Sequence, residues 1–95
     1  MRIVFSKRAE NRLRQIHTTI AQDNPISALK VTSRIRQVIE LLAEFPYIGR
    51  EWGDGSSRAM TVSGLPYRIH YRINPAADAL EVITIVHTRM RSADL

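Results

Sequence analysis

The feature that most constrains the fold is a change in the spacing of apolar residues at about residue 57. Before that point, apolar residues recur at intervals of three and four, which is the repeat of an amphipathic α-helix. After it, apolar and polar residues alternate, which is the repeat of a half-buried β-strand. Helices followed by consecutive strands predict an α+β domain, in which a helical layer packs on an antiparallel sheet.

Two helices are predicted before the change. Ser6 can cap the first helix by accepting a hydrogen bond from a first-turn amide, and that helix should end near Gln22. Asn24 and Pro25 suit the cap and the first position of a second helix, which Pro46 ends. The two apolar stripes consist of Ala9, Leu13, Ile16 and Ile20, and of Ala28, Val31, Ile35, Val38, Leu42 and Phe45, widened by Ile39 and Leu41. Because the connection is short, the helices should form an antiparallel hairpin.

The strands are predicted at Arg2–Phe5, Ser57–Val62, Leu65–Ile73 and Ala79–His87. They predict an N-terminal strand and a three- to four-stranded antiparallel sheet with the helical hairpin packed on it. In the third strand, Tyr67 and Tyr71 share the apolar face and are predicted to lie in the core. The segment Glu51–Ser56, which contains Trp52 and two glycines, is predicted to be a loop.

The composition is that of a packed globular protein. Its 95 residues fit one domain spanning residues 1–95, and 44% of them are apolar. With no cysteine, the chain has no disulfide or thiolate metal site, and a reducing compartment is the simplest environment. The apolar run at the N-terminus is too short for a signal peptide, and no stretch approaches the roughly 18 apolar residues of a membrane span. These features predict a soluble cytoplasmic protein.

The chain is basic, with a formal net charge of +5, and all of its 14 basic residues except Lys7 and Lys30 are arginine. A solvated basic surface is one interpretation of this charge. The other is an acidic partner, which could be nucleic acid, a nucleic-acid machine or an acidic protein segment, because the guanidinium fork suits phosphate and carboxylate groups.

One face of the strand Leu65–Ile73 carries Arg68, His70 and Arg72, with about 7 Å between successive members of the set. A solvated face, a binding surface and a catalytic cluster all fit this pattern. Metal-free RNA cleavage needs a base, an acid and cations, and His87 could add a second imidazole to the set. The histidines and acidic residues do not have the spacing of metal ligands, so no metal or cofactor is predicted.

Five segments, in this order, resemble the RelE/ParE toxin superfamily over residues 3–95. They are Asn24-Pro25 with Ala28, Leu41-Leu42 with Phe45-Pro46-Tyr47-Ile48-Gly49-Arg50, Arg58, Leu65–Ile73, and Val82–Met90. The resemblance implies a curved antiparallel sheet with the helical hairpin on one side. It also implies a toxin of a type II toxin–antitoxin system, and a cognate antitoxin whose disordered segment folds as it wraps the toxin.

The C-terminal residues indicate the branch of the superfamily. RelE-like members cleave mRNA in the ribosome and are similar in using lysine, arginine and tyrosine side chains, whereas ParE-like members bind DNA gyrase. This chain has no lysine after Lys30 and no tyrosine, lysine or histidine after Arg91. Its ending, His87-Thr88-Arg89-Met90 with Asp94-Leu95, looks like the ParE branch. The resemblance therefore implies inhibition of DNA gyrase by binding, with ribosome-dependent mRNA cleavage as the alternative.

The candidate residues for binding the target or the antitoxin are Arg58, Arg68, Arg72, His87, Arg89, Met90 and Trp52. Trp52 is either an exposed interface anchor or a ring that covers the edge of the core. If the chain is a ribonuclease, the candidate catalytic residues are Arg68, His70, Arg72 and His87.

Overall fold

The helices and strands follow one another in the predicted order. In the computed structural model, which describes residues 1–89, the elements are β1 (Arg2–Phe5), α1 (Lys7–Ala21), α2 (Pro25–Glu44), β2 (Arg50–Trp52), β3 (Ser57–Thr61), β4 (Tyr67–Asn74) and β5 (Ala79–His87). Within these residues the sheet has five strands in the order β1-β5-β4-β3-β2. Strand β1 is parallel to β5, and the other neighbours are antiparallel. The predicted α+β fold is confirmed, and β2 is the strand that the sequence did not predict.

Capping residues fix the start of each helix. The Ser6 hydroxyl accepts from the Ala9 amide at 3.0 Å and donates to the Ile83 carbonyl at 2.6 Å, so it joins α1 to β5. The Asn24 side chain accepts from the Ser27 amide at 3.1 Å and starts α2. The two helices pack on each other as the predicted hairpin. In the part of the chain described, no helix is long and apolar enough to cross a lipid bilayer.

The core lies between the helical hairpin and one face of the sheet. It consists of Ala9, Leu13, Ile35, Val38, Ile39, Leu42, Val62, Ile69, Tyr71, Leu80, Val82 and Ile85. Tyr71 is fully buried, as predicted, and Tyr67 packs at the margin. The prediction was wrong for Leu41 and Phe45, which are 41% and 54% exposed. Leu41 only flanks the apolar stripe, and α2 ends at Glu44, so the backbone of Phe45 leaves helical geometry.

Strand β2 replaces part of the predicted loop. Its residues pair antiparallel with β3, with Trp52 opposite Ser57, and a turn of residues 53–56 joins the two strands. Gly53 and Gly55 have φ angles of 64° and 88°, in the left-handed region that glycine adopts without strain. Three residues, two of them charged, are too short a run to show strand alternation, so the sequence indicated a loop.

A β-bulge interrupts the pairing of β4 with β5. His70 pairs with Thr84 and Tyr71 pairs with Val82, so Ile83 has no partner in β4. The bulge shifts the register by one residue, so that Glu81 rather than Val82 lies opposite Arg72.

Candidate functional site

The side of the sheet away from the helices, called here the open face, carries the polar side chains of β4. Arg68, His70 and Arg72 lie on it and alternate with the core residues of the strand, as predicted. Although His70 faces away from the core, it is only 4% exposed, because Trp52 covers it. The two rings meet edge to face, with centroids 4.9 Å apart. Trp52 is therefore a strand residue that buries a histidine rather than a residue of a free loop.

Two arginines complete a group that we call the Trp52 cluster: Arg50, Trp52, Arg68 and His70. Arg68 Nε donates to His70 Nε2 at 2.8 Å, and the guanidinium carbon of Arg68 lies 4.5 Å from the centroid of the indole. The guanidinium carbon of Arg50 lies 5.7 Å from the same centroid. Both distances are in the range of cation–π attraction. The cluster thus presents two guanidinium groups supported on one aromatic ring.

The imidazole of His70 is neutral near pH 7. Burial, and secondarily the positive charge of Arg68, lowers the pKa of His70 to about 4. Because Nε2 accepts from Arg68, the proton of the neutral ring is on Nδ1. The Nε2 lone pair is therefore not free to act as a base, and the acid form is scarce at neutral pH. Across the strand pair, Thr84 Oγ1 is buried without a hydrogen-bond partner in residues 1–89.

Arg72 lies beyond the bulge and belongs to a separate ion pair. Its Nε donates to Glu81 Oε1 at 3.0 Å, and Asn74 donates to the other carboxylate oxygen at 3.3 Å. These hydrogen bonds lower the pKa of Glu81, and the one from Arg72 has the larger effect. The charge of Arg72 is thus compensated within the sheet. Arg72 shares the open face with Arg68 and His70, but it makes no hydrogen bond to either within residues 1–89.

The remaining C-terminal candidates lie at the end of β5. His87 pairs with Tyr67, their rings meet edge to face at 5.6 Å, and His87 borders a shallow cavity beside α1. His87 Nδ1 accepts from the Arg89 amide at 3.2 Å, and Arg89 is exposed. The two imidazoles of the predicted catalytic set therefore lie on opposite faces of the sheet. Met90 lies outside the described residues.

Arg58 lies on the helical side of the sheet and contacts the segment after α2. Its guanidinium donates to the Gly49 carbonyl at 2.7 Å and to the Tyr47 carbonyl at 3.4 Å. The guanidinium carbon lies 5.1 Å from the centroid of the Tyr47 ring, and a guanidinium nitrogen lies 3.6 Å from the Glu51 carboxylate. Contacts inside the chain therefore occupy this arginine.

The side chain of Tyr71 hydrogen-bonds to the same segment from the core side. Its hydroxyl donates to the Pro46 carbonyl at 2.6 Å and accepts from the Gly49 amide at 3.0 Å. Burial raises the pKa of Tyr71, so the hydroxyl stays protonated and can donate. A Cβ at position 49 would overlap the Tyr71 ring and hydroxyl, which explains the glycine. We call Pro46, Tyr47, Gly49, Arg58 and Tyr71 the loop brace.

Two residues in or beside the Trp52 cluster, Arg50 and Thr84, were not among the candidates that the sequence predicted. Arg50 and Trp52 are two positions apart, and that spacing places both on one face of a strand, but no strand was predicted there. Thr84 stands among the apolar residues of β5, and nothing in the sequence marks it. In residues 1–89, no three histidine, aspartate or glutamate side chains come together as metal ligands would. The site is thus one of cations and aromatic rings.

Solved toxin structures share this fold. The chain superposes on a chain of the chromosomal ParDE system of P. aeruginosa with a TM-score of 0.78, covering 92% of this chain and 95% of that one at 19% identity. It superposes on the isolated RelE toxin of E. coli with a TM-score of 0.71, covering 98% and 89% at 16% identity. The protein therefore has the RelE/ParE fold.

Sequence similarity identifies the branch. The profile of the family of ParE toxins of type II parDE toxin–antitoxin systems matches residues 3–92. The chain is also 34% identical over 90 residues to "Putative toxin Y4kP" of Sinorhizobium fredii, covering 95% of this chain and 91% of that protein. The chain belongs to the ParE toxin family of type II toxin–antitoxin systems.

Proposed function

We propose that this toxin acts by binding DNA gyrase, without covalent chemistry, metal or cofactor, and that a cognate antitoxin neutralises it. It acts as one domain of residues 1–95 in the cytoplasm, where gyrase is found. The observation that carries the proposal is the state of His70, whose Nε2 accepts from Arg68 and whose pKa is lowered to about 4. Target and antitoxin contacts are proposed among Trp52, Arg58, Arg68, Arg72, His87, Arg89 and Met90.

The positions of the other candidate groups also favour binding over cleavage. General acid–base cleavage of RNA needs a base and an acid within reach of one phosphodiester. His87 lies on the other face of the sheet from His70, and Arg72 is paired with Glu81. No acid–base pair is therefore poised around one point of the open face in residues 1–89.

The antitoxin part of the proposal rests on relatives and on charge. The RelBE structure of E. coli is an intact toxin–antitoxin complex, and this chain superposes on one of its chains with a TM-score of 0.69 at 16% identity. A RelE mutant of E. coli binds a peptide of the antitoxin RelBc. The net charge of +5 suits an acidic segment that folds on this toxin.

The test is inhibition of gyrase supercoiling by the full-length, antitoxin-free protein, with trapped cleavage complexes scored in the same reactions. We expect inhibition at about stoichiometric levels, because a binding poison acts one to one. Addition of the antitoxin should reverse it. Folded protein that binds its antitoxin but leaves supercoiling unchanged would contradict the gyrase proposal.

Ribosome-dependent mRNA cleavage is the second candidate, because the fold is shared with RelE and two cations flank His70 on the open face. Replacing His70 and His87 together by glutamine separates the two functions, because glutamine cannot act as an acid or a base but can still accept a hydrogen bond from Arg68 Nε. A nuclease that uses these imidazoles should lose its toxicity while still binding the antitoxin. Full toxicity of a folded double variant excludes acid–base cleavage by these residues.

A further inference from the structure

The guanidinium of Arg68 is held in place but keeps hydrogen-bond donors to spare. His70 accepts from Nε, and the ring of Trp52 supports the guanidinium plane from 4.5 Å. The two terminal nitrogens of Arg68 make no hydrogen bond or salt bridge within residues 1–89. A planar guanidinium with two free, fixed nitrogens is suited to bidentate binding of an oxyanion.

The charges nearby favour a carboxylate over a nucleic-acid backbone. Arg58 is paired with Glu51, and Arg72 is paired with Glu81, so neither offers a free charge. In the described sheet, the other open-face arginines are Arg50 and Arg68 on the Trp52 ring, and Arg2 on β1 at the opposite edge, whose charge acts on Glu81. Nucleic-acid binding draws on a row of about six to ten phosphate contacts, whereas two arginines on one tryptophan have the composition of a protein-interface anchor.

We propose that Arg68 and Arg50, supported on Trp52, form a clamp for a carboxylate side chain of an acidic protein partner, and that His70 is the positioning residue of this clamp. The clamp deepens the proposed function, since it gives the toxin an anchoring contact with a protein surface. His70 acts through Arg68: its neutral ring accepts from Nε and directs the other two nitrogens toward the partner.

The chain carries its own reporter for this site, because Trp52 is its only tryptophan. The full-length protein is titrated at low ionic strength with hexaglutamate, with hexaglutamine and with a short single-stranded DNA of the same charge as hexaglutamate. We expect hexaglutamate to change the Trp52 emission in a saturable way and hexaglutamine to leave it unchanged. The DNA should bind more weakly, because two arginines offer few phosphate contacts. DNA binding as tight as that of hexaglutamate would overturn the choice of a carboxylate partner.

Two variants distinguish a specific clamp from a general effect of net charge on binding. Arg68→Lys keeps the charge but loses the fork, and should weaken hexaglutamate binding about tenfold. Arg34→Ala removes one charge from an exposed position of α2 and should change the affinity less than about twofold, as expected for a screened distant charge. Equal losses in the two variants would mean that only net charge matters, which contradicts the clamp.

The role of His70 has its own pair of variants. In His70→Gln the amide oxygen can still accept from Arg68 Nε, so binding should stay within about twofold of wild type, while His70→Ala should weaken it about fivefold or more by freeing the guanidinium. Wild-type affinity should be constant from about pH 5.5 to 8, because burial and the charge of Arg68 lower the pKa of His70 to about 4 and the ring stays neutral. An His70→Ala variant that binds as wild type, or binding that strengthens as the pH falls through this range, would overturn the positioning role.

The peptide titration contains no gyrase, so its result is independent of the proposed target. Hexaglutamate binding through Arg68 by a protein that does not inhibit gyrase would leave the clamp standing and remove gyrase as its partner. If gyrase is inhibited equally by wild type, Arg68→Lys and Arg34→Ala, the clamp is not the anchor for gyrase. If these three proteins also bind hexaglutamate equally, the inference fails.

Discussion

Two arginines stacked on aromatic rings lie on opposite faces of the same sheet, and they differ in what remains free. On the helical side, Arg58 lies over Tyr47 at 5.1 Å. One of its terminal nitrogens donates to two backbone carbonyls, and the other lies 3.6 Å from the Glu51 carboxylate. On the open side, Arg68 lies over Trp52 at 4.5 Å, and Nε alone has a partner within residues 1–89.

The difference shows that arginine can stabilise the fold on one face of the sheet and remain available to bind a partner on the other. A guanidinium whose two terminal nitrogens are both engaged inside the chain holds a backbone segment in place and has little left to offer a partner. One that is oriented but incompletely paired loses little entropy when it binds, because its position is already fixed. The loop brace should therefore govern stability, and the Trp52 cluster should govern binding.

The largest effect is expected from Tyr71→Ala, which removes the centre of the loop brace. The ring is fully buried, so its truncation should lower the free energy of unfolding by about 3–5 kcal/mol. Urea unfolding followed by circular dichroism measures this. A loss under about 1 kcal/mol would mean that the ring does not lie in the core.

A matched variant, Tyr71→Phe, keeps the ring and removes the hydroxyl. It leaves the Pro46 carbonyl and the Gly49 amide without their present partner, and should cost about 1–2 kcal/mol. The ratio of the two losses separates the packing of the ring from the bridging of the loop.

The next largest effect is a pH dependence of the free energy of unfolding that arises from His70 on the open face. Its pKa is about 4 in the folded chain and near 6.5 when unfolded, so below pH 6.5 the unfolded state binds the additional proton. The stabilisation is complete above pH 6.5 and should fall by about 2 kcal/mol as the pH is lowered toward 4. Urea midpoints measured between these pH values test it.

The control for this slope is His70→Gln, which cannot titrate. The difference in unfolding free energy between wild type and His70→Gln should change with pH only below about 6.5. If the two proteins keep a constant difference down to pH 4, His70 titrates normally, and its burial by Trp52 is not retained in solution.

A third prediction compares the two arginines directly. Arg58→Ala should lower the free energy of unfolding by about 1–2 kcal/mol, because it leaves carbonyls of the loop brace unpaired. Arg68→Ala should cost about 1 kcal/mol or less, the range of a partly exposed cation–π contact. Toxicity should fall more in Arg68→Ala, once expression and folding are matched. The opposite order of toxicity would place the interaction surface on the helical side.

Local sequence patterns were enough to predict the helix starts and the face of the sheet on which several of these residues lie. Ser6 and Asn24 marked the helix starts, and the alternation in residues 65–73 placed Tyr71 in the core and Arg68 with His70 on the other face. Each inference depends on residues close together in the sequence. Periodicity and capping report such short-range constraints directly.

The cluster itself could not be predicted, because its contacts join distant parts of the chain. Trp52 of β2 covers His70 of β4 across β3, and this contact depends on the order of the strands in the sheet. The pairing of Arg72 with Glu81 depends on the bulge at Ile83, a register change that leaves no mark in the alternation. Strand order and register are properties of the folded sheet, not of any one segment.

The smallest effect is expected at Arg72, which shares the open face with Arg68 but is paired with Glu81. Because the ion pair is exposed to solvent, Arg72→Ala should leave the urea midpoint unchanged within error, and added salt should remove any difference that is seen. The Glu81 pKa is lowered by Arg72, so any contribution would be present above the unfolded pKa of Glu81 and lost as the pH falls below it. A destabilisation as large as that of Arg58→Ala would mean that the ion pair braces the edge of the sheet as the loop brace does on the other side. Arginine contacts on both faces would then stabilise the fold, and the two faces would differ only in the size of this effect.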